Sequence, residues 1–153
     1  MRIIIDTREQ LDLDFAQHEY VIVTARRKLD VGDYGCIFED GYEVPAYFER
    51  KSIPDLFGTM GKGYTRFKKE IQRARDSKVK LILLIEGSMS KVKRGTRHST
   101  LTGLSVIRKL MTLQIKYDLD FQFMSGREEM SEFIYEYYCS IGRLKGKKKK
   151  GVK

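Results

Sequence analysis

Apolar and polar positions along this chain switch between two periods. Residues 81–85 (Leu81, Ile82, Leu83, Leu84, Ile85) are apolar without a break, the mark of a strand buried on both faces, and Glu86-Gly87 ends it. Residues 3–5 make a shorter run of the same kind, residues 20–24 are rich in β-formers, and residues 121–123 supply a last short strand. Residues 34–38 and 45–51 read as two more strands, joined through Glu39-Asp40-Gly41-Tyr42-Glu43, whose Asp-Gly pair is turn chemistry. Helical spacing takes over at residues 64–77, where Phe67, Ile71 and Ala74 recur at i, i+4 and i+7. Residues 101–117 predict a helix with Leu104, Ile107, Leu110 and Met111 inward. Residues 127–142 predict another, with a wide apolar face of Met130, Phe133, Ile134, Tyr137, Tyr138 and Ile141 that serves the core alone or also a dimer surface. A short helix opens at Ser52 with Pro54 in its first turn, and Gly58, Gly61 and Gly63 suggest a flexible break after it. Residues 11–19 predict a helix or an irregular turn, and the polar, basic residues 88–100 a loop. Strands alternating with helices predict an α/β domain whose central mixed β-sheet is flanked by helices on both faces, with no internal repeats and no second domain.

Size and charge refine that picture. A chain of 153 residues suits one domain, able to bury about 70% of its unfolded surface. No apolar run nears the ~20 residues that cross a membrane, so no membrane partner is expected. Residues 1–5 are too short for a secretion signal, so the expected location is cytoplasmic or nucleoid, nuclear in a eukaryote. Cys36 and Cys139 lack metal-site spacing and read as reduced thiols. Seven of the 30 basic residues fall in residues 143–153, leaving 23 against 21 acidic residues over 1–142. The division is therefore a nearly balanced domain over 1–142 and a basic, disordered tail over 143–153, which either favours nucleic acid or merely solubilises. Lys62, Arg66, Lys69 and Arg73 share a stripe that is a solvated face or a phosphate-tracking surface. Lys91, Lys93, Arg94 and Arg97 line a DNA path or an ordinary surface loop. Gly58-Thr59-Met60-Gly61-Lys62-Gly63 lacks the spacing of a phosphate-binding loop, so no nucleotide cofactor is expected.

The hairpin over 34–51 carries the candidate chemistry. Alternation puts Glu49 and Lys51 on one face of its second strand and Phe48 and Arg50 on the other. A two-residue turn at Asp40-Gly41 sets Asp33 opposite Phe48, whereas a three-residue loop with a bulge at Gly41 sets it opposite Glu49. Facing side chains lie about 4.5–5.5 Å apart. Two carboxylates at that distance repel by about 3 kcal/mol at an effective dielectric of 20. A divalent cation offsets that cost best, and oxygen ligands suit Mg²⁺ or Mn²⁺. Lys51 then reaches a scissile phosphate or the attacking water, which is the outline of a metal-assisted phosphodiesterase. The plainer alternative is that Asp33 opens a turn while Glu49 and Lys51 are solvated strand charges.

Gly32-Asp33, a gap, then Glu49-Arg50-Lys51-x-x-x-Asp55 resembles the signature of the XPF-type structure-specific endonucleases, the family of the XPF, Hef and Mus nucleases. Residues 3–9, ending Asp6-Thr7-Arg8-Glu9, and Leu29-Asp30-Val31 are also similar to that family. The resemblance covers roughly residues 1–140 and is strongest over 1–75. It implies a restriction-endonuclease-like fold and a Mg²⁺- or Mn²⁺-dependent DNA endonuclease. The implied reaction is cutting of branched or junction-containing DNA (flap, fork, bubble) in repair or recombination, by a homodimer. It also implies metal ligands at Asp33, Glu49 and the backbone carbonyl of Arg50, with Lys51 stabilising the reacting phosphorus. Asp6 completes the carboxylate cluster or caps its strand. Arg8 and Arg50 contact phosphate or pair with the acids, Asp55 orients Lys51 or Arg50, and Glu9 is a further member or merely exposed. His18 and His98 are assigned no catalytic role. The tandem helix-hairpin-helix module and the helicase of some relatives are not found in this sequence, which weakens the expectation of strict branch selection. A less selective nuclease, a junction resolvase of the same fold, and a non-catalytic DNA-binding partner subunit are the competing readings.

Overall fold

The structure is a computed structural model that describes residues 1–21 and 23–150. Six strands form one sheet: β1 (Arg2–Ile5), β2 (Val23–Arg26), β3 (Tyr34–Ile37), β4 (Ala46–Ser52), β5 (Lys80–Glu86) and β6 (Asp120–Met124), in the spatial order β2-β1-β3-β4-β5-β6. β1 is parallel to β2 and antiparallel to β3, β3 is antiparallel to β4, and β4, β5 and β6 are parallel. The sheet is therefore mixed. The β2 strand lies a little later than residues 20–24, because it is placed by pairing with β1, Arg2 facing Val23.

Parallel neighbours need long connections, and helices supply them. Between β4 and β5 run α1 (Ile53–Met60) and α2 (Tyr64–Asp76); between β5 and β6 run α3 (Met89–Arg94) and α4 (Gly103–Tyr117); α5 (Arg127–Lys150) follows β6. Period-two alternation along β5 divides the core. Leu81, Leu83 and Ile85 pack with α1, α2 and α4, through Leu56, Phe57, Phe67, Ile71, Val106 and Leu110. Ile82 and Leu84 face the other way and join Tyr34, Phe48, Met130, Ile134 and Tyr138 beneath α5. Helices thus cover both faces. Tyr138 is fully buried, and its hydroxyl donates to the Ala46 carbonyl at 2.8 Å, tying α5 to the start of β4.

Three segments depart from the expected pattern. Residues 88–100 contain α3, capped by the Ser88 hydroxyl and pinned by the buried Val92. On α4 the buried face is Gly103, Val106, Leu110 and Leu113, while Leu104 points outward at 48% exposure. Residues 143–150 continue α5 past the boundary drawn at 142, and Lys145 bonds Asp40 at 2.9 Å; residues 151–153 lie outside the described residues. Residues 11–19 form turns rather than a helix, and Gly58 lies within α1. Both cysteines are free, Cys36 buried and Cys139 half-buried. Among the described residues no helix is long and apolar enough to cross a membrane.

Candidate active site

The register of β3 against β4 decides where the acids meet. Tyr34 pairs with Phe48, and the Asp33 amide donates to the Phe48 carbonyl at 2.7 Å. Counting one residue outward sets Asp33 level with Glu49. The loop reaches this register by a device other than the two simple turns. Ile37 bridges to Glu43, so three steps along β3 correspond to five along the β4 side, and the surplus is absorbed around Pro45. Proline has no N–H to lose there, which suits it to such a bulge. Gly41, at φ 80°, makes the tight end of the loop.

Asp33 Oδ2 accepts the Arg50 amide at 2.8 Å, which aims its carboxylate across β4. Glu49 is 8% exposed, and its Oε1 accepts from Lys51 Nζ at 2.8 Å. The Lys51 ammonium also lies 5.5 Å from the centre of the Phe67 ring on α2, within the range of a cation–π contact. Arg50 leaves the opposite face of β4 and meets Glu9 at 3.0 Å. Glu9 is itself nearly buried and accepts from the Tyr34 hydroxyl at 3.3 Å, so it is a member of the cluster. Tyr34 in turn accepts the Leu13 amide at 3.0 Å, anchoring residues 11–19 to the site.

Electrostatics separate these acids into two kinds. Burial, then the neighbouring Glu49 charge, pushes Asp33 up to about 8, against the opposing Arg50 N–H. Burial also raises Glu49, with Lys51 opposing and Glu70 adding to the rise. Burial pulls the Lys51 ammonium down, but Glu49 outweighs it and the net shift is upward. Glu9 behaves differently: burial would raise it, yet the Arg50 guanidinium holds it below the usual carboxylate range. Asp6 is also held low, because burial is outweighed by Arg8 and by backbone donors.

Asp6 is 1% exposed, and its oxygens accept from the Arg8 amide, from Arg8 Nε and Nη2, and from the Leu29 amide at 2.6 Å. Its backbone amide donates to the Asp33 carbonyl at 2.8 Å. The side chain thereby closes the turn that follows β1. Arg8 is bonded to Asp6 but exposed at the rim.

These groups line a cleft of about 680 Å³ between the β4 end of the sheet, α1 and the α1–α2 junction. Of the candidate site residues singled out in the sequence, it gathers Arg8, Glu9, Asp33, Glu49, Arg50, Lys51, Asp55, Lys62 and Arg66. Asp55 stands on the outer wall, where its amide donates to the Ser52 cap. Asp6, Lys69, Arg73, Lys91, Lys93, Arg94 and Arg97 are not among its lining residues. Arg73 reaches the Asp30 carbonyl at 3.5 Å, and Lys91, Lys93 and Arg94 belong to α3. Glu70 on α2 was missed by the sequence reading: it accepts the Gly32 amide at 3.0 Å.

Whether a divalent cation suits these groups follows from the donor set. No trio of carboxylate, histidine or cysteine side chains within metal-holding reach occurs among the described residues. What is present is a pair of carboxyl groups, the half-buried Asp33 and the buried Glu49, each raised in part by its acidic neighbours. Anions crowded in this way favour a hard cation with oxygen ligands. The chemistry of this donor pair therefore fits the group.

The ERCC4 domain matches residues 5–137. No curated protein matches the chain. XPF from Aeropyrum pernix is similar in structure, with a TM-score of 0.68 at 18% identity over 97% of this chain and 69% of that one. XPF from Aeropyrum pernix in complex with DNA gives 0.65 at 20% identity over 95% of this chain and 65% of that one. At such identities the two structures speak for the fold, which is the restriction-endonuclease-like fold of the XPF nuclease domain. With the domain match spanning most of its length and Asp33, Glu49, Arg50 and Lys51 converging in one cleft, the chain belongs to the ERCC4 domain family of XPF-type nucleases.

Proposed function

We propose that this protein is a Mg²⁺- or Mn²⁺-dependent DNA endonuclease that hydrolyses phosphodiester bonds in branched or junction-containing DNA. One observation carries the reading. A buried acid, Glu49, a half-buried one, Asp33, and a lysine bonded to the first lie in a cleft whose rim bears Arg8, Lys62 and Arg66. A scaffold gains nothing from that crowding, whereas phosphate hydrolysis needs it.

Asp33, Glu49 and the Arg50 carbonyl would hold the ion, which when bound supplies positive charge at the phosphoryl oxygen and acidifies a water. The protein's own groups do the rest. The Lys51 ammonium, fixed by Glu49 and the Phe67 ring, offers its remaining N–H donors to charge that develops on the phosphorus oxygens. Glu9 pairs with Arg50 and so holds that guanidinium in the wall of the cleft. Arg8, Lys62 and Arg66 fix the register of the backbone by holding phosphates. A relative solved with DNA supports nucleic acid as the substrate.

Homodimerisation belongs to the same reading, and α4 supports it. Leu104, Ile107, Met111 and Ile115 fall on one stripe of that helix, where Leu104 is 48% and Ile115 84% exposed. The apolar face of α5, by contrast, is spent on the sheet through Met130, Ile134 and Tyr138.

The test is cleavage of labelled linear, flap, fork, bubble and four-way DNA with Mg²⁺ or Mn²⁺. Cutting is expected to be strongest on the branched forms. Asp33→Asn and Lys51→Ala are expected to abolish it while DNA affinity stays within a few-fold. A wild-type chain inert on every substrate would instead favour the non-catalytic subunit.

A further inference from the structure

The turn that delivers Asp33 to the cleft is held on three sides. Asp33 N–H donates to Phe48 at 2.7 Å and its carbonyl accepts from Asp6 at 2.8 Å, so β4 and the end of β1 each take one backbone group. The preceding residue, Gly32, adopts φ 71°, and a Cβ there would stand 3.0 Å from the Phe48 carbonyl. Its amide therefore points away from the sheet. It meets Glu70 Oε1 at 3.0 Å, from a helix held in place by the buried neighbours Phe67, Ile71 and Ala74.

We infer that Glu70 is a positioning residue: by accepting the Gly32 amide it sets the backbone turn from which Asp33 reaches Glu49. The proposal rests on the nuclease reading and deepens it. No trio of metal-holding side chains that would include Glu70 is gathered among the described residues. Its effect passes through the main chain, where an unpaired amide would leave the Asp33 turn free to rotate about Gly32, the residue type least able to resist. One helical turn earlier, Arg66 lines the cleft, so the helix that offers a cation to the DNA also fixes the acid beside it.

Two substitutions separate acceptor from charge. Glu70→Gln keeps an oxygen at the same reach and removes the charge; Glu70→Asp keeps the charge and withdraws the oxygen by one methylene. In the metal-free protein, Gly32 amide hydrogen exchange measured by NMR is expected to stay within about 2-fold of wild type in E70Q and to accelerate at least about 10-fold in E70D. Mn²⁺ titrated into each protein should bind about 10-fold more weakly to E70D, the scale on which a partner behind a metal ligand acts, and nearly normally to E70Q. With DNA, E70D should lower kcat and leave KM unchanged. Wild-type exchange and Mn²⁺ affinity in E70D, or an E70Q protein as impaired as E70D, would overturn the proposal. A wild-type protein that neither binds Mn²⁺ nor cuts would sink the nuclease reading instead, while the exchange rates would still decide the Glu70 bond.

Discussion

Asp33 holds a position that costs the fold energy in the absence of a cation. An unfolded aspartate ionises near ~4, whereas burial and the Glu49 charge push Asp33 up to about 8. Between those values the folded, metal-free protein keeps a proton that the unfolded chain has released, so stability falls as pH rises from about 4 to 8 and levels off above. Asparagine at this position keeps the oxygen that accepts the Arg50 amide and discards the charge. Asp33→Asn is therefore expected to melt higher than wild type at pH 8 in chelator, by about 2 °C or more, the shift that about 1 kcal/mol produces in a domain of this size. The difference should vanish near pH 4, and added Mg²⁺ or Mn²⁺ should narrow it by stabilising the wild type alone. Thermal melts followed by circular dichroism across pH decide this; equal melting at pH 8 would mean that neither burial nor the Glu49 charge disfavours the Asp33 carboxylate. Strand alternation, a local rule, made the shared face of Glu49 and Lys51 legible, whereas the register that sets Asp33 level with Glu49 is reached by neither simple turn. The partners on other elements were not legible: Glu70 lies 38 positions from Gly32, and nothing in its surroundings along the chain marks it as an acceptor.

Elements with a strong apolar period were read almost to their ends, and those defined by contact were not. The stripe of Phe67, Ile71 and Ala74 is the buried face of α2, and the unbroken run of β5 is a strand flanked on both sides. By contrast α3 is six residues with one buried side chain, Val92, among lysines and an arginine. Too short to show a period, it owes its shape to α4. The α4 face was misjudged for a related reason: its first buried residue is Gly103, which carries no hydrophobic signal. A Cβ at Gly103 would lie 2.1 Å from the Val92 carbonyl and 2.5 Å from that of Lys93, so the two helix backbones touch only because this side chain is missing. Gly103→Ala should then destabilise the protein by about 1–3 kcal/mol, the usual cost of overpacking, although alanine is otherwise the better helix former. Urea unfolding measures it. A neutral or stabilising result would show that α3 yields freely and that residues 88–100 behave as the loop first expected.

At the level of the whole molecule, two surfaces remain outside the cleft, one apolar and one basic. If the α4 stripe is a homodimer seam, Leu104→Glu with Ile115→Glu should convert a dimer to a monomer in sedimentation velocity while leaving the circular dichroism unchanged, since both side chains are exposed. A wild-type monomer would remove the seam. The basic part of the sequence is residues 143–153. A net charge of +9 drops to near +2 without residues 143–153, so most of the net charge resides there. Yet these lysines are not equivalent. Lys145 is already committed to Asp40 and lies 3.6 Å over the Tyr42 ring, so it stiffens the β3–β4 loop and is poorly placed to release a counterion from DNA. Truncation after Gly142 is accordingly expected to flatten the dependence of log affinity on log salt by less than the seven charges removed would give at about 0.9 each on duplex DNA. Lys145→Ala alone should leave the slope unchanged. Affinity measured by fluorescence anisotropy across a salt series separates the cases: an unaltered slope in the truncated protein would mean that the whole basic end is idle towards DNA.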